Sequence, residues 1–191
     1  MLTVYGDSTS GNCLKIKYVC DLLGTPYAWK ETDVVARETR TPAFLAMNPA
    51  GQVPTVVLDD GRALAQSNAI MLYLAEGSRL IPNDAYARAQ MMQWLFWEQY
   101  SHEPAIAVLR FQKRHLKKPD SEIDPALRTK SHAVLTLMNA HLTTRAYFVG
   151  AALTLADIAL VAYTRHADEA GLDLANWPNV EAWVGRVVRE L

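Results

Sequence analysis

Three short stretches carry side chains suited to chemistry. Ser10-Gly11-Asn12-Cys13 brings a hydroxyl, an amide and a thiol to the point where a turn-rich loop gives way to apolar residues at helical spacing. A thiol in the first turn of a helix is shifted toward thiolate, so Cys13 is a candidate nucleophile. Val53-Pro54 stands at the mouth of a strand, and because proline cannot donate to a sheet, Val53 is left to pair with something outside its own ladder. With the Val53-Pro54 bond cis, a tight bend holds the Val53 N–H and C=O outward, where an extended peptide adds like an extra strand. Gln66-Ser67-Asn68 opens an apolar helix, whose free N–H groups and dipole favour a carboxylate at Ser67. Together these features suit a small anionic peptide.

Positioning those groups is the task of the surrounding elements. Leu2 to Tyr5 reads as a strand, and Leu14, Ile16, Val19, Leu22 and Leu23 mark a helix over Asn12 to Leu23 that Gly24-Thr25-Pro26 ends. Tyr27 to Thr32 is a second strand, and Thr41-Pro42 opens a short helix to Met47. Thr55 to Leu58 and Arg62 to Ala65 flank the hairpin signal Asp59-Asp60-Gly61, and a helix runs from Ser67 to Gly77. The order is βαβ, α, ββ, α. Strand signals then stop, which predicts an α/β domain over residues 1–77, a linker over 78–84 and an all-helical domain over 85–191. Ala85 to Lys118 reads as one long helix that Pro104 bends or breaks. Asp124-Pro125 opens another to about Leu142, Thr154-Leu155-Ala156-Asp157 forms a capping box for a very apolar helix to Ala170, and Pro178 starts a last amphipathic one.

Composition narrows the function classes. The chain has 191 residues, half of them apolar, which supports a sizeable core. Nineteen basic against twenty acidic side chains leave a net charge of −1, so no field favours nucleic acid or a membrane surface. The N-terminal stretch has no basic and apolar leader pattern, and no apolar run approaches the roughly 20 residues of a bilayer span; the expectation is a soluble, cytoplasmic protein. Cys13 and Cys20 lie about 10 Å apart along one helix, beyond the roughly 7 Å Cα reach of a disulfide, and are expected to be reduced. The histidines show no metal-ligand spacing, and no metal site is expected.

The combination resembles a cytosolic glutathione S-transferase of a bacterial serine-type or Thr/Asn-type class. Three matches carry the resemblance: Tyr5-Gly6 leading to Ser10-Gly11-Asn12-Cys13-Leu14-Lys15, then Asn48-Pro49 with Gln52-Val53-Pro54, then Gln66-Ser67-Asn68-Ala69-Ile70. The resemblance implies a thioredoxin-like N-terminal domain followed by an all-helical domain, a homodimer, and conjugation of glutathione to an apolar electrophile in detoxification or a catabolic step. By that resemblance Ser10 is the main donor to the glutathione thiolate, with Asn12 as a second. Val53, before Pro54, pairs its backbone with the cysteine of glutathione, Gln66 and Ser67 hold the γ-glutamyl group, and Gln52 and Arg40 face the glycyl carboxylate. Gln52 and Gln66 stand where the family often has Lys and Glu, which removes one charge at each end of the ligand.

The electrophile pocket is expected on Trp94 to Phe111, where helical spacing puts Glu103, Ile106 and Arg110 on one face with Tyr100 and His102 a turn earlier. Two other readings stay open. In one, Cys13 forms mixed disulfides with glutathione, as in a disulfide reductase or peroxidase; in the other, the chain is a non-enzymatic interaction protein.

Overall fold

The computed structural model describes all of Met1–Leu191 and divides into two compact units, Met1–Arg79 and Leu80–Leu191. In the first unit, β1 (Leu2–Gly6), α1 (Gly11–Leu23) and β2 (Tyr27–Glu31) form a βαβ crossover, with β1 and β2 parallel and Leu2 opposite Tyr27. After α2 (Pro42–Met47) come β3 (Thr55–Val57) and β4 (Ala63–Ala65), both in antiparallel pairings, and then α3 (Ser67–Leu74). The sheet order is β2-β1-β3-β4. The strands, the α1 helix and the Asp59-Asp60-Gly61 hairpin fall where the residue pattern puts them.

Local chemistry explains the boundaries. Gly24 ends α1 at φ 63°, a left-handed geometry that glycine adopts without steric cost. The Thr41 hydroxyl caps α2 by accepting from the Phe44 N–H, and Pro42 fills the first helical position, where no N–H is needed. Val4, Ile16, Val19, Val56, Ile70 and Met71 form the fully buried core between the sheet and the helices α1 and α3. Helix α3 stops at Leu74, short of the expected Gly77.

The second unit is helical throughout, but its first helix is not continuous. α4 (Ala85–Trp97), capped by the Asp84 carboxylate on the Ala87 N–H at 2.8 Å, runs into a π turn over Glu98–His102 and then α5 (Glu103–Arg114). Pro104 is the cause: it has no N–H to return to the carbonyl four residues back, and the wider turn accommodates that loss. α6 (Pro125–His141) comes next, capped by Asp124. α7 (Leu155–Thr164) is buried along its whole length and ends at Thr164, six residues before the expected Ala170, and α8 (Pro178–Val188) closes the chain. No helix is long and apolar enough to cross a membrane.

The Thr154 capping box does more than start α7. Asp157 accepts from the Thr154 N–H and hydroxyl at 3.0 and 3.1 Å, and also from the Phe148 N–H and the Trp183 indole, each at 2.9 Å. One fully buried carboxylate thus ties α7 to α8 and to the preceding loop, even though burial pushes its pKa up. Asp157→Asn should cost about 2–4 kcal/mol in denaturant unfolding, because an amide NH2 then confronts buried donors. A loss below about 0.5 kcal/mol would show that the network carries little of the unit's stability.

Candidate active site

Strand register gathers the site. Tyr5 pairs with Thr55, and Thr55 with Ala65, so these three lie in one row across the sheet. The residues that leave the row at that edge are Gly6, Pro54 and Gln66, which is why the three sequence stretches meet although they are far apart in the chain.

Beyond Gly6 the chain must pass close to Trp29, since a Cβ at position 6 would lie 2.7 Å from its ring. The loop is then braced from two sides. Asp7 Oδ1 accepts from the Thr9 N–H and hydroxyl, and Glu31 Oε1 accepts from the Ser8 N–H at 2.8 Å. Ser10 is the N-cap of α1, but it caps with its backbone: its carbonyl accepts from the Cys13 and Leu14 N–H groups, and its hydroxyl makes no cap bond. The hydroxyl lies near the Cys13 thiol, where it favours the charged form of that sulfur.

Cys13 does not sit as a nucleophile should. Its side chain is fully buried, and burial pushes its thiol up to about 12 despite the hydrogen bond from the Asp7 N–H and the nearby Ser10 hydroxyl. The expectation of a reactive thiolate at this helix start is corrected: the dipole is outweighed by desolvation. Cys20 is likewise a buried core thiol, raised by burial to about 11, and both cysteines are free.

Asn12 faces the start of α3. Its Oδ1 accepts from the Ser67 hydroxyl at 3.1 Å and from Lys15 Nζ at 2.8 Å, and Lys15 also reaches Ser67 Oγ at 3.4 Å and Asn68 Oδ1 at 3.3 Å. Lys15 is 0% exposed. The residue pattern does not assign Lys15 to the site; the one available signal is its place on the otherwise buried stripe of Cys13, Ile16 and Val19.

The proline loop has the expected cis Val53-Pro54 bond. Asn48 Nδ2 donates to the Gln52 carbonyl at 2.9 Å and to Thr55 Oγ1 at 3.0 Å, so the turn is tied from within. The sheet ladder begins at Thr55, leaving half-buried Val53 outside it. Arg40 Nη1 donates to the Ala50 carbonyl at 3.2 Å and covers Gly51, where a Cβ would meet the guanidinium at 2.5 Å. Gln52 is exposed. Gln66, also exposed, holds φ 70° and ψ 110°, a backbone state that costs a non-glycine residue about 1–3 kcal/mol.

On the helical unit the expected pocket residues separate. Tyr100 is 88% exposed and Glu103 is half-buried. His102 is fully buried with its Nε2 on Thr164 Oγ1 at 2.8 Å, Ile106 is fully buried, and Arg110 is buried in a 2.7 Å ion pair with Glu169. Those three are buried, a correction to the expected pocket lining: helical spacing tells which residues share a face of α5, but not which face is turned to the core. Trp94 packs edge-on against Trp97, His141 and Phe148, as a core residue.

A mixed four-stranded sheet with a cis-proline loop facing two helix starts, followed by an all-helical unit, defines a thioredoxin-like fold joined to a helical domain. Residues 9–76 match the family model of the glutathione S-transferase N-terminal domain, and residues 92–190 that of the C-terminal domain. Among solved structures, a glutathione S-transferase from Pseudomonas fluorescens Pf-5 is 45% identical, with 97% of this chain and 94% of that one covered and a TM-score of 0.94. One from Xanthobacter autotrophicus Py2 is 46% identical over 98% and 92% of the two chains, with a TM-score of 0.92. A possible glutathione S-transferase from Rhodopseudomonas palustris is 40% identical over 99% and 94%, with a TM-score of 0.94. The chain belongs to the glutathione S-transferase family, and its activity is that of a glutathione transferase.

The backbone of Gln66 offers a direct test of whether stability has been given up for the site. Gln66→Gly should stabilise the protein by about 1 kcal/mol, since glycine adopts this backbone state freely, while weakening glutathione binding. Thermal unfolding and calorimetric titration read the two effects. A melting temperature that falls would show that φ 70° is not a source of strain here.

Proposed function

We propose that this chain is a serine-type glutathione transferase in which Ser10, aided by Asn12, stabilises the glutathione thiolate for attack on an apolar electrophile. Residues 1–77 bind glutathione and 85–191 supply the electrophile side, with Tyr100 and Glu103 as the accessible members of the expected pocket set. Val53 pairs its backbone with the cysteine of glutathione, Ser67 and Gln66 take the γ-glutamyl group, and Arg40 with Gln52 takes the glycyl carboxylate. The observation that carries this reading is the Ser10 hydroxyl: it stands at a helix start and takes no part in capping, which leaves it available to donate to a ligand.

The energetics are sufficient. A free thiol titrates near 8.5, and lowering that by about two units requires about 2.7 kcal/mol. One charge-assisted hydrogen bond contributes about 1.5–3 kcal/mol and a helix start about 0.3–1 kcal/mol. Because the reactive form is the thiolate, kcat/KM should rise with pH through the bound thiol's pKa and level off above it.

The reading that uses Cys13 as the nucleophile loses its support in the burial of that thiol. Ser10→Ala should lower kcat/KM for conjugation of a chloronitrobenzene by about 10- to 100-fold and move the pH profile upward, whereas Cys13→Ala leaves the profile in place. An unchanged Ser10→Ala enzyme would sink the assignment.

We further propose a cytoplasmic homodimer. Its support is membership of the glutathione S-transferase family. Analytical ultracentrifugation at micromolar concentration should return twice the chain mass, and the chain mass alone would overturn this part.

A further inference from the structure

We propose that Asn48 and Thr55 are positioning residues for glutathione: together they clamp the Gln52 carbonyl inside the proline loop and so aim the Val53 N–H outward at the ligand. This rests on the glutathione reading above and adds to it two residues buried behind the backbone that meets the ligand.

The clamp is a closed set of three groups. Asn48 Nδ2 donates to the Gln52 carbonyl at 2.9 Å and to Thr55 Oγ1 at 3.0 Å, and the Thr55 hydroxyl donates to the same carbonyl at 2.9 Å. Valence leaves one arrangement. An amide nitrogen only donates, so Thr55 Oγ1 accepts from Asn48 and its single hydrogen goes to Gln52. Both amide hydrogens, the hydroxyl hydrogen and both lone pairs of the carbonyl are then committed. The Asn48 amide cannot turn over, because its Oδ1 accepts from the Ala50 N–H at 3.1 Å and a flip would set oxygen against oxygen at Gln52.

Each clamping residue is itself anchored. Asn48 ends α2, where its N–H donates to the Phe44 carbonyl at 2.9 Å, and its side chain is buried. Thr55 is fully buried and begins β3, the strand that pairs with both β1 and β4. The Gln52 carbonyl is therefore held against the sheet and a helix end at once, although the Gln52 side chain is exposed.

The consequence follows from the planarity of the peptide. The bond from Gln52 to Val53 is trans, so its C=O and N–H point in opposite directions within one plane. A carbonyl drawn inward by two donors sends the Val53 N–H outward, and that N–H donates to no carbonyl of the chain. Without the clamp the plane can rotate about its flanking single bonds and present an oxygen in place of the N–H. A carbonyl on the ligand would then meet a like dipole. Affinity falls with the fraction of molecules that present the N–H, so a loss that leaves one in ten correctly turned weakens binding about tenfold. Such binding is the same before and during reaction, so kcat at saturating glutathione holds.

The test combines titration calorimetry with glutathione, steady-state kinetics with a chloronitrobenzene, and nitrogen-15 relaxation of the Val53 amide in the enzyme without ligand. Thr55→Val should raise the glutathione Kd and KM about tenfold and leave kcat within about twofold. Thr55→Ser, which keeps the hydroxyl, should bind as the unmodified enzyme does. Asn48→Ala should act in the direction of Thr55→Val. The order parameter of the Val53 N–H should be about 0.85 in the unmodified enzyme and below about 0.6 in Thr55→Val.

An unchanged Kd in Thr55→Val, an equal loss in Thr55→Ser, or a fall in kcat that matches the rise in Kd overturns the proposal. Should the variants fail to fold, the unmodified enzyme decides: a Val53 order parameter below about 0.6 there shows that nothing clamps the peptide plane. Failure of the unmodified enzyme to bind glutathione, or a Val53 amide resonance unmoved by saturating glutathione, would instead remove the reading on which the proposal stands, and the order parameters still report the clamp by themselves.

Discussion

Two helix starts meet at one edge of one sheet, and the rest of the site depends on that meeting. It is imposed by register: Tyr5, Thr55 and Ala65 share a row, so the chain that leads into α1, the loop that leads into β3 and the turn that leads into α3 are neighbours. Each helix start carries roughly half a positive charge, and like ends side by side repel. Between those starts lies the buried side chain of Lys15, which must be held by polar partners. Oxygens of Asn12, Ser67 and Asn68 are among the partners that satisfy the buried ammonium.

Much of this is readable without coordinates, because the signals are local. A Gly-Thr-Pro stop, an Asp-Asp-Gly hairpin, a Thr cap before Pro42 and the Thr154 to Asp157 box each bind their own backbone within a few residues, and each sits where the sequence puts it. The cis Val53-Pro54 bond belongs to the same class, since proline's missing donor is a property of one residue. Gln66 is different: nothing in its type announces φ 70°, a state imposed by the turn that must carry the chain from β4 into α3.

The features that escape a sequence reading depend on contacts between distant residues or on helical phase. Lys15 looks like a solvated lysine in the sequence, yet it is fully buried and bonded to residues at the start of α3. Placing His102, Ile106 and Arg110 in a pocket assumes uninterrupted helical spacing. That spacing holds within α5, but it does not say which face is buried: His102 bonds Thr164, Arg110 pairs with Glu169, and Ile106 is fully buried. Cys13 fails for a related reason. Its place in the first turn says that a dipole acts on it, but not that desolvation acts more strongly, and the balance between the two is decided by burial alone.

The division of labour between Ser10 and Cys13 shows how one helix start separates two sulfur chemistries. Both lie within a single turn, joined by the Cys13 N–H donating to the Ser10 carbonyl at 3.0 Å. Cys13, drawn into the core, keeps its proton and cannot compete as a nucleophile. Ser10, at the cap, has a hydroxyl that takes no part in capping and is chemically able to donate to a thiolate. The enzyme's own thiol is thus held as an apolar packing group, while the reactive thiol must arrive from outside. A site that binds its sulfur as part of a peptide needs positive charge for the carboxylates that come with it. Gln52 and Gln66 bring none; Arg40, tied to the proline loop, and Lys15, sealed beneath Ser67, bring one each. Placing one of these two charges inside the fold shields it from the salt that screens surface pairs.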